Sequence, residues 1–139
     1  MAVLTKKISI ETKGKSDMVD ITAQVAAAVV ESKFEEGIIT VFVKGSTASI
    51  STVEYEPGLL KDVPRSLDKF APYGPDYEHH NTWHDDNGAS HVRATLMGPS
   101  IVVPFKEKQL LLGTWQQVVL IDFDTRSRTR DVYLTIIGE

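Results

Sequence analysis

A chain of 139 residues, 42% of them hydrophobic and 24% charged, suits one soluble domain built around a single core. A formal charge of −4 weighs against a nucleic-acid binder that works by neutralising phosphates, and no apolar run approaches the roughly 18–20 residues that span a bilayer. Cysteine is absent, which removes disulfides and thiolate ligands, and the first residues lack the pattern of a secretory signal, so the expectation is a cytoplasmic protein.

Residues 4–12 alternate as a β-strand does. Ile21, Val25, Ala28 and Val29 then recur at helical spacing over residues 21–33, with Asp20 placed as the N-cap. Ile38–Val43 and Thr47–Tyr55 read as strands separated by Lys44-Gly45-Ser46. Pro57 can open a second helix carrying Leu60, Val63, Leu67 and Phe70 on one face, which Pro64 should kink or divide. A long loop is expected over residues 71–88. Strands are expected at Ser90–Met97, Ile101–Phe105, Gln109–Leu112, Thr114–Phe123 and Arg130–Ile137. Their short connectors favour antiparallel neighbours, so the expected fold class is α+β, a single domain over residues 1–139 with a mostly antiparallel sheet and two helices.

All four histidines, His79, His80, His84 and His91, lie between Tyr77 and Val92, beside the oxygen donors Asp85, Asp86 and Asn87. Imidazoles are common metal ligands and acid–base groups near neutral pH, so this segment is the first candidate for chemistry; the bland alternative is a polar, histidine-rich surface loop. His80 and His84 have the spacing of a helical metal pair, although Gly88 and the acidic run oppose a helix there. His79 and His91 fit one ligand from a loop and one from the strand it enters. On that strand His91 would share a face with Arg93, bringing a ligand and an anion-binding cation side by side.

Three further constellations stand beside their ordinary readings. Glu54 shares a strand face with Ile50; it is either drawn inward, needing a partner or metal, or already in solvent at the strand end. Trp115 and Gln116 suit recognition of a planar heterocycle, or else an ordinary strand with a packed Trp. Arg126, Arg128 and Arg130 can grip a phosphate bidentately, or be alternating charges on a solvated strand.

Several strings occur together in the expected order along nearly the whole chain: Gly45-Ser-Thr-Ala-Ser-Ile50, Glu54-Tyr-Glu-Pro-Gly58, Tyr77-Glu-His79, Asp85-Asp-Asn87, Ser90-His91, Leu96-Met-Gly-Pro-Ser100 and Gly113-Thr-Trp-Gln116. In these the chain closely resembles the YjbQ family, small proteins also described as secondary thiamine-phosphate synthases. The resemblance implies a compact α+β fold assembled as a homotrimer, with sites between or beside subunits. It implies roles for Glu54, His79, Asp85, Asn87, His91, Trp115 and Gln116. The chain departs from the family pattern at Gly45, where many members have histidine, and at Val53, where many have asparagine.

Thiamine-phosphate synthesis joins a pyrimidine-methyl diphosphate to a thiazole phosphate and releases pyrophosphate. On this reading His79 and His91, with Glu54 or Asp85, hold a divalent metal. Arg93, Arg126 or Arg128 neutralise phosphate, and Trp115 and Gln116 position the heterocycle. Zn²⁺, Mn²⁺ and Mg²⁺ all suit such ligands, and metal-activated water would equally make a hydrolase. The alternatives of a different class are a non-catalytic trimer that binds a metal or a phosphorylated metabolite, and a purely structural role for the histidines.

Overall fold

The computed structural model describes the whole of Met1–Glu139. Its elements in chain order are β1 (Ala2–Thr12), β2 (Asp17–Asp20), α1 (Thr22–Ser32), β3 (Glu36–Lys44), β4 (Ala48–Val53), α2 (Leu59–Leu67), α3 (Glu78–Trp83), α4 (Gly88–Met97), β5 (Ser100–Lys106), β6 (Gln109–Leu110), β7 (Gln117–Asp122) and β8 (Arg128–Gly138). The strands form two antiparallel sheets, one in the order β1-β8-β3-β5-β6 and a smaller one in the order β2-β7-β4. The α+β class and the antiparallel pairing are as expected; no helix is long and apolar enough to cross a membrane.

The continuous apolar run of β7 explains the layering. Val118 and Leu120 join the main core with Val25 and Val29 of α1 and Ile39, Val41, Leu134 and Ile136 of the large sheet. Val119 and Ile121 point the other way, onto Leu67 of α2 and Ala94 of α4. A strand buried on both faces needs a continuous apolar run, which Val118–Ile121 supplies in β7. The outer face of the large sheet carries no helix. Its cross-strand rows run Val3, Ile137, Ile38, Pro104, then Thr5, Thr135, Thr40, Val102.

The helices depart from expectation in number and place: there are four rather than two. Ser90–Met97 is not a strand but most of α4, with Ser90, Arg93 and Ala94 buried at helical spacing. Glu78–Trp83, expected as loop, forms α3, closed by His84 in the left-handed region at φ 57°. Pro64 lies inside α2 without dividing it; the missing N–H forfeits one bond, to the Leu60 carbonyl. Phe70 lies beyond that helix and is exposed. At α1 the cap sits one residue later than expected, yet Asp20 still serves it: its Oδ1 accepts from the Thr22 N–H at 3.0 Å and from the Thr22 hydroxyl at 2.6 Å. Thr114–Gln116 is a turn before β7, not strand, with Gln116 Oε1 accepting from the Gly113 N–H at 3.0 Å.

Candidate functional site

The histidine segment folds back on itself. Gly88 opens α4 directly against Tyr77; a Cβ at position 88 would stand 2.5 Å from Tyr77 Cβ. That close approach lays α3 over the start of α4 and brings the His79 and His91 rings to 4.5 Å between centroids. Asp85 Oδ1 lies 3.4 Å from His79 Nδ1. With its amide nitrogen turned toward that carboxylate, Asn87 donates to Asp85 Oδ1 at 2.8 Å. Residues 79, 85, 87 and 91 therefore lie in one cluster.

The other two histidines form a second group behind it. His80 Nδ1 lies 2.9 Å from Asp86 Oδ1, a close approach whose geometry is not that of a hydrogen bond, since the same nitrogen has no hydrogen-bond partner. The His80 and His84 rings meet edge to face at 5.3 Å. No three His, Asp or Glu donors in either group converge at metal-binding distance.

Electrostatics single out His91. Burial holds its imidazole below the ordinary histidine value and the neighbouring His79 adds to this, while Asp124, Asp85 and contact with the Ser46 backbone pull the other way. A half-buried neutral imidazole can accept a proton or a metal. Beside it opens a cavity of about 330 Å³ with small walls, among them Gly45, Ser46 and Ala48 from the β3–β4 turn and Ala94 and Thr95 from α4. Those walls are fixed: the Val43 N–H donates to the Pro99 carbonyl at 3.0 Å and the Ile50 N–H to the Gly98 carbonyl at 3.3 Å.

The arginines are placed differently from expectation. His91 and Arg93 are not side by side, because two residues apart on a helix lie on nearly opposite sides. Arg93 is fully buried. It donates to the Ala71 carbonyl, Ser16 Oγ and Asp68 Oδ1, and its guanidinium stacks 4.3 Å from the Tyr73 ring. Arg128 is committed to Asp124 at 2.8 Å. Arg130 forks onto both oxygens of Asp122, at 2.8 and 2.9 Å, and onto Thr47 Oγ1 at 2.6 Å. Burial pushes the Asp122 carboxyl up, but hydrogen bonds from Arg130 and Thr12 outweigh it and hold the group below the usual range. Asp124 is likewise held low: bonds from the Thr125 N–H, Thr47 and Arg128 outweigh its burial. Arg126 is exposed and makes no ion pair; with Arg128, Glu11 and Ser127 it borders an all-polar cleft of about 560 Å³. Sequence reasoning missed Asp122 and Asp124; an Asp-Phe-Asp closing a wholly apolar run was the available signal.

Glu54, Trp115 and Gln116 lie elsewhere. Glu54 follows the end of β4 and is exposed rather than drawn inward. Trp115 is 72% exposed on its turn, and Gln116 Nε2 donates to Thr52 Oγ1 at 3.2 Å. In the β4–β7 ladder Val53 pairs with Gln117 at this end, whereas Ala48, beside His91, pairs with Asp122 at the other. Five residue steps of strand separate the two ends by roughly 15 Å. Within one chain the two groups of candidate residues lie at opposite ends of that ladder.

A model of the UPF0047 protein YjbQ-like family matches residues 6–139. A UPF0047 protein of Archaeoglobus fulgidus is 37% identical over 126 residues, 91% of this chain and 95% of its own. The UPF0047 protein YugU of Bacillus subtilis is 30% identical, over 97% of this chain and all of its own. The crystal structure of a Sulfolobus solfataricus protein, described as YbjQ-like and of unknown function, superposes with a TM-score of 0.90 at 35% identity, covering 99% of both chains. A hypothetical protein of Aeropyrum pernix superposes at 0.89 with 29% identity, covering 98% of this chain and 99% of its own.

Proposed function

The chain belongs to the UPF0047, YjbQ-like family, and on that premise we propose that it is a metal-assisted enzyme acting on a small phosphorylated metabolite. The reaction it would carry is of the thiamine-phosphate synthase type, at a low rate, with a different reaction as its physiological work. The observation that carries this reading is the His79–His91 pair, 4.5 Å apart, with the Asp85 carboxylate beside it and a cavity against His91. His79 and His91 would be the metal ligands. Asp85 is exposed enough to rotate onto the ion, and Asn87 would steady it. Three protein ligands would leave a position for substrate or water. Zn²⁺, Mn²⁺ and Mg²⁺ all remain suitable.

The same reading includes a homotrimer. It is supported by the uncovered apolar row Val3, Ile137, Ile38, Pro104 and by the separation of Glu54, Trp115 and Gln116 from the histidines, which a neighbouring copy would remedy. That separation also favours a second reading, a trimer that binds a phosphorylated metabolite without turning it over.

The test is to measure metal content and coupling of the pyrimidine diphosphate with the thiazole phosphate in wild type, His79→Ala, His91→Ala and Glu54→Gln. The proposal expects the histidine variants to lose both metal and turnover, and Glu54→Gln to lose turnover alone. Unchanged metal and activity in both histidine variants would sink it; ligand binding without any product would favour the second reading.

A further inference from the structure

Arg130 has one nitrogen whose hydrogens nothing uses. Its Nε and Nη2 are taken by Asp122 and Thr47, but Nη1 makes no hydrogen bond. The side chain is nine-tenths buried, yet Nη1 is not sealed off as His80 Nδ1 and Ser90 Oγ are. It lies where a side chain of Gly45 would begin: a Cβ there would meet Nη1 at 2.7 Å. Gly45 has a φ of 144°, a conformation L side chains rarely adopt, so both backbone and space reserve this position for glycine.

Gly45 also lines the cavity that His91 borders, and the next residue, Ser46, presents its backbone to the His91 imidazole. A rigid guanidinium thus stands at one side of a single peptide unit and an imidazole at the other. Around it the charges cancel, since Asp122 and Asp124 face Arg130 and Arg128. Nη1 is therefore the one nitrogen of a held guanidinium left to meet an outside oxyanion, which would also feel the carboxylates of Asp122 and Asp124 behind it.

We propose that the free Nη1 of Arg130, uncovered by Gly45, binds phosphate at the Gly45 edge of the His91 cavity, whose own walls do not include Arg130. This deepens the reading above by replacing Arg93, Arg126 and Arg128 with Arg130 as the group that receives the phosphate, and it rests on that reading only for the identity of the metabolite. The cleft of about 330 Å³, walled in part by glycine, alanine, serine and threonine, has room for a monophosphate.

The experiment uses metal-free protein, so that a failure of the metal reading leaves its outcome readable. Inorganic phosphate is titrated while the Arg130 guanidinium and the Gly45 and Ser46 amides are followed by NMR. The expected result is a saturable shift of those signals with Arg126 and Ser127 unmoved, and tighter binding of phosphate than of acetate. Gly45→Ala should weaken phosphate by about tenfold or more, the loss of one charge-assisted hydrogen bond, while Arg126→Ala leaves it unchanged. Should Gly45→Ala fail to fold, Thr95→Trp closes the cavity from its exposed rim and should abolish the same shifts. No saturable shift, shifts confined to the Arg126–Thr129 cleft, or acetate bound as well as phosphate would each overturn the assignment.

Discussion

Arg93 and Arg130 are both buried, but removing them should cost different amounts, because their partners differ. Asp68, the partner of Arg93, keeps a half-exposed side chain, whereas Asp122, the partner of Arg130, has none of its surface in water. Arg130→Met leaves an uncompensated buried carboxylate, an expected loss of about 3–5 kcal/mol. Arg93→Met should lose less, because Asp68 can fall back on water, and urea unfolding of the two variants measures the contrast. The same carboxylates set an acid limit. Because Asp122 and Asp124 are more acidic folded than unfolded, their stabilisation is complete above the unfolded value near pH 4 and is lost as pH falls through the folded values. Thr12→Val removes the 2.6 Å bond to Asp122, so it should lower stability at neutral pH by about 1 kcal/mol and flatten the decline below pH 4. An unchanged slope there would show that the hydroxyl does not set the acidity of Asp122.

Among the elements, α3 and α4 decide whether the two histidines meet. Gly88→Ala would push a methyl against Tyr77, whose Cβ cannot swing away, at an expected cost of about 1–3 kcal/mol. The sharper consequence is geometric: α3 should lift from α4, and NMR contacts between the His79 and His91 rings should disappear while the core stays folded. Persistent ring contacts would mean that something other than this glycine seats α3. Much of the rest was legible. β1, β3, β5 and β8 announce themselves by alternation, and α1 by its apolar spacing. α4 was misread for a physical reason: one of its most buried positions is Arg93, and a fully buried guanidinium breaks the apolar periodicity from which a helix is recognised. Gly98, just past its last residue, was the stop signal that periodicity alone overrode.

At the scale of the molecule, the sequence motifs named two groups of candidate residues but not the distance between them. The order of Glu54, His79, His91 and Trp115 along the chain carries no information about which end of the β4–β7 ladder each occupies, since that follows from strand pairing. The uncovered face of the five-stranded sheet is likewise invisible until the strands are in register. If copies associate through that face, Ile38→Lys combined with Val102→Glu should yield a folded monomer by light scattering; a trimer that survives both charges would place the interface elsewhere. The most direct test of the central claim is a calorimetric zinc titration of chelated wild-type protein beside His91→Asn, with circular dichroism confirming that both are folded. The account expects saturable binding at one ion per chain in wild type and its loss in the variant; stoichiometric binding that persists without His91 would contradict it.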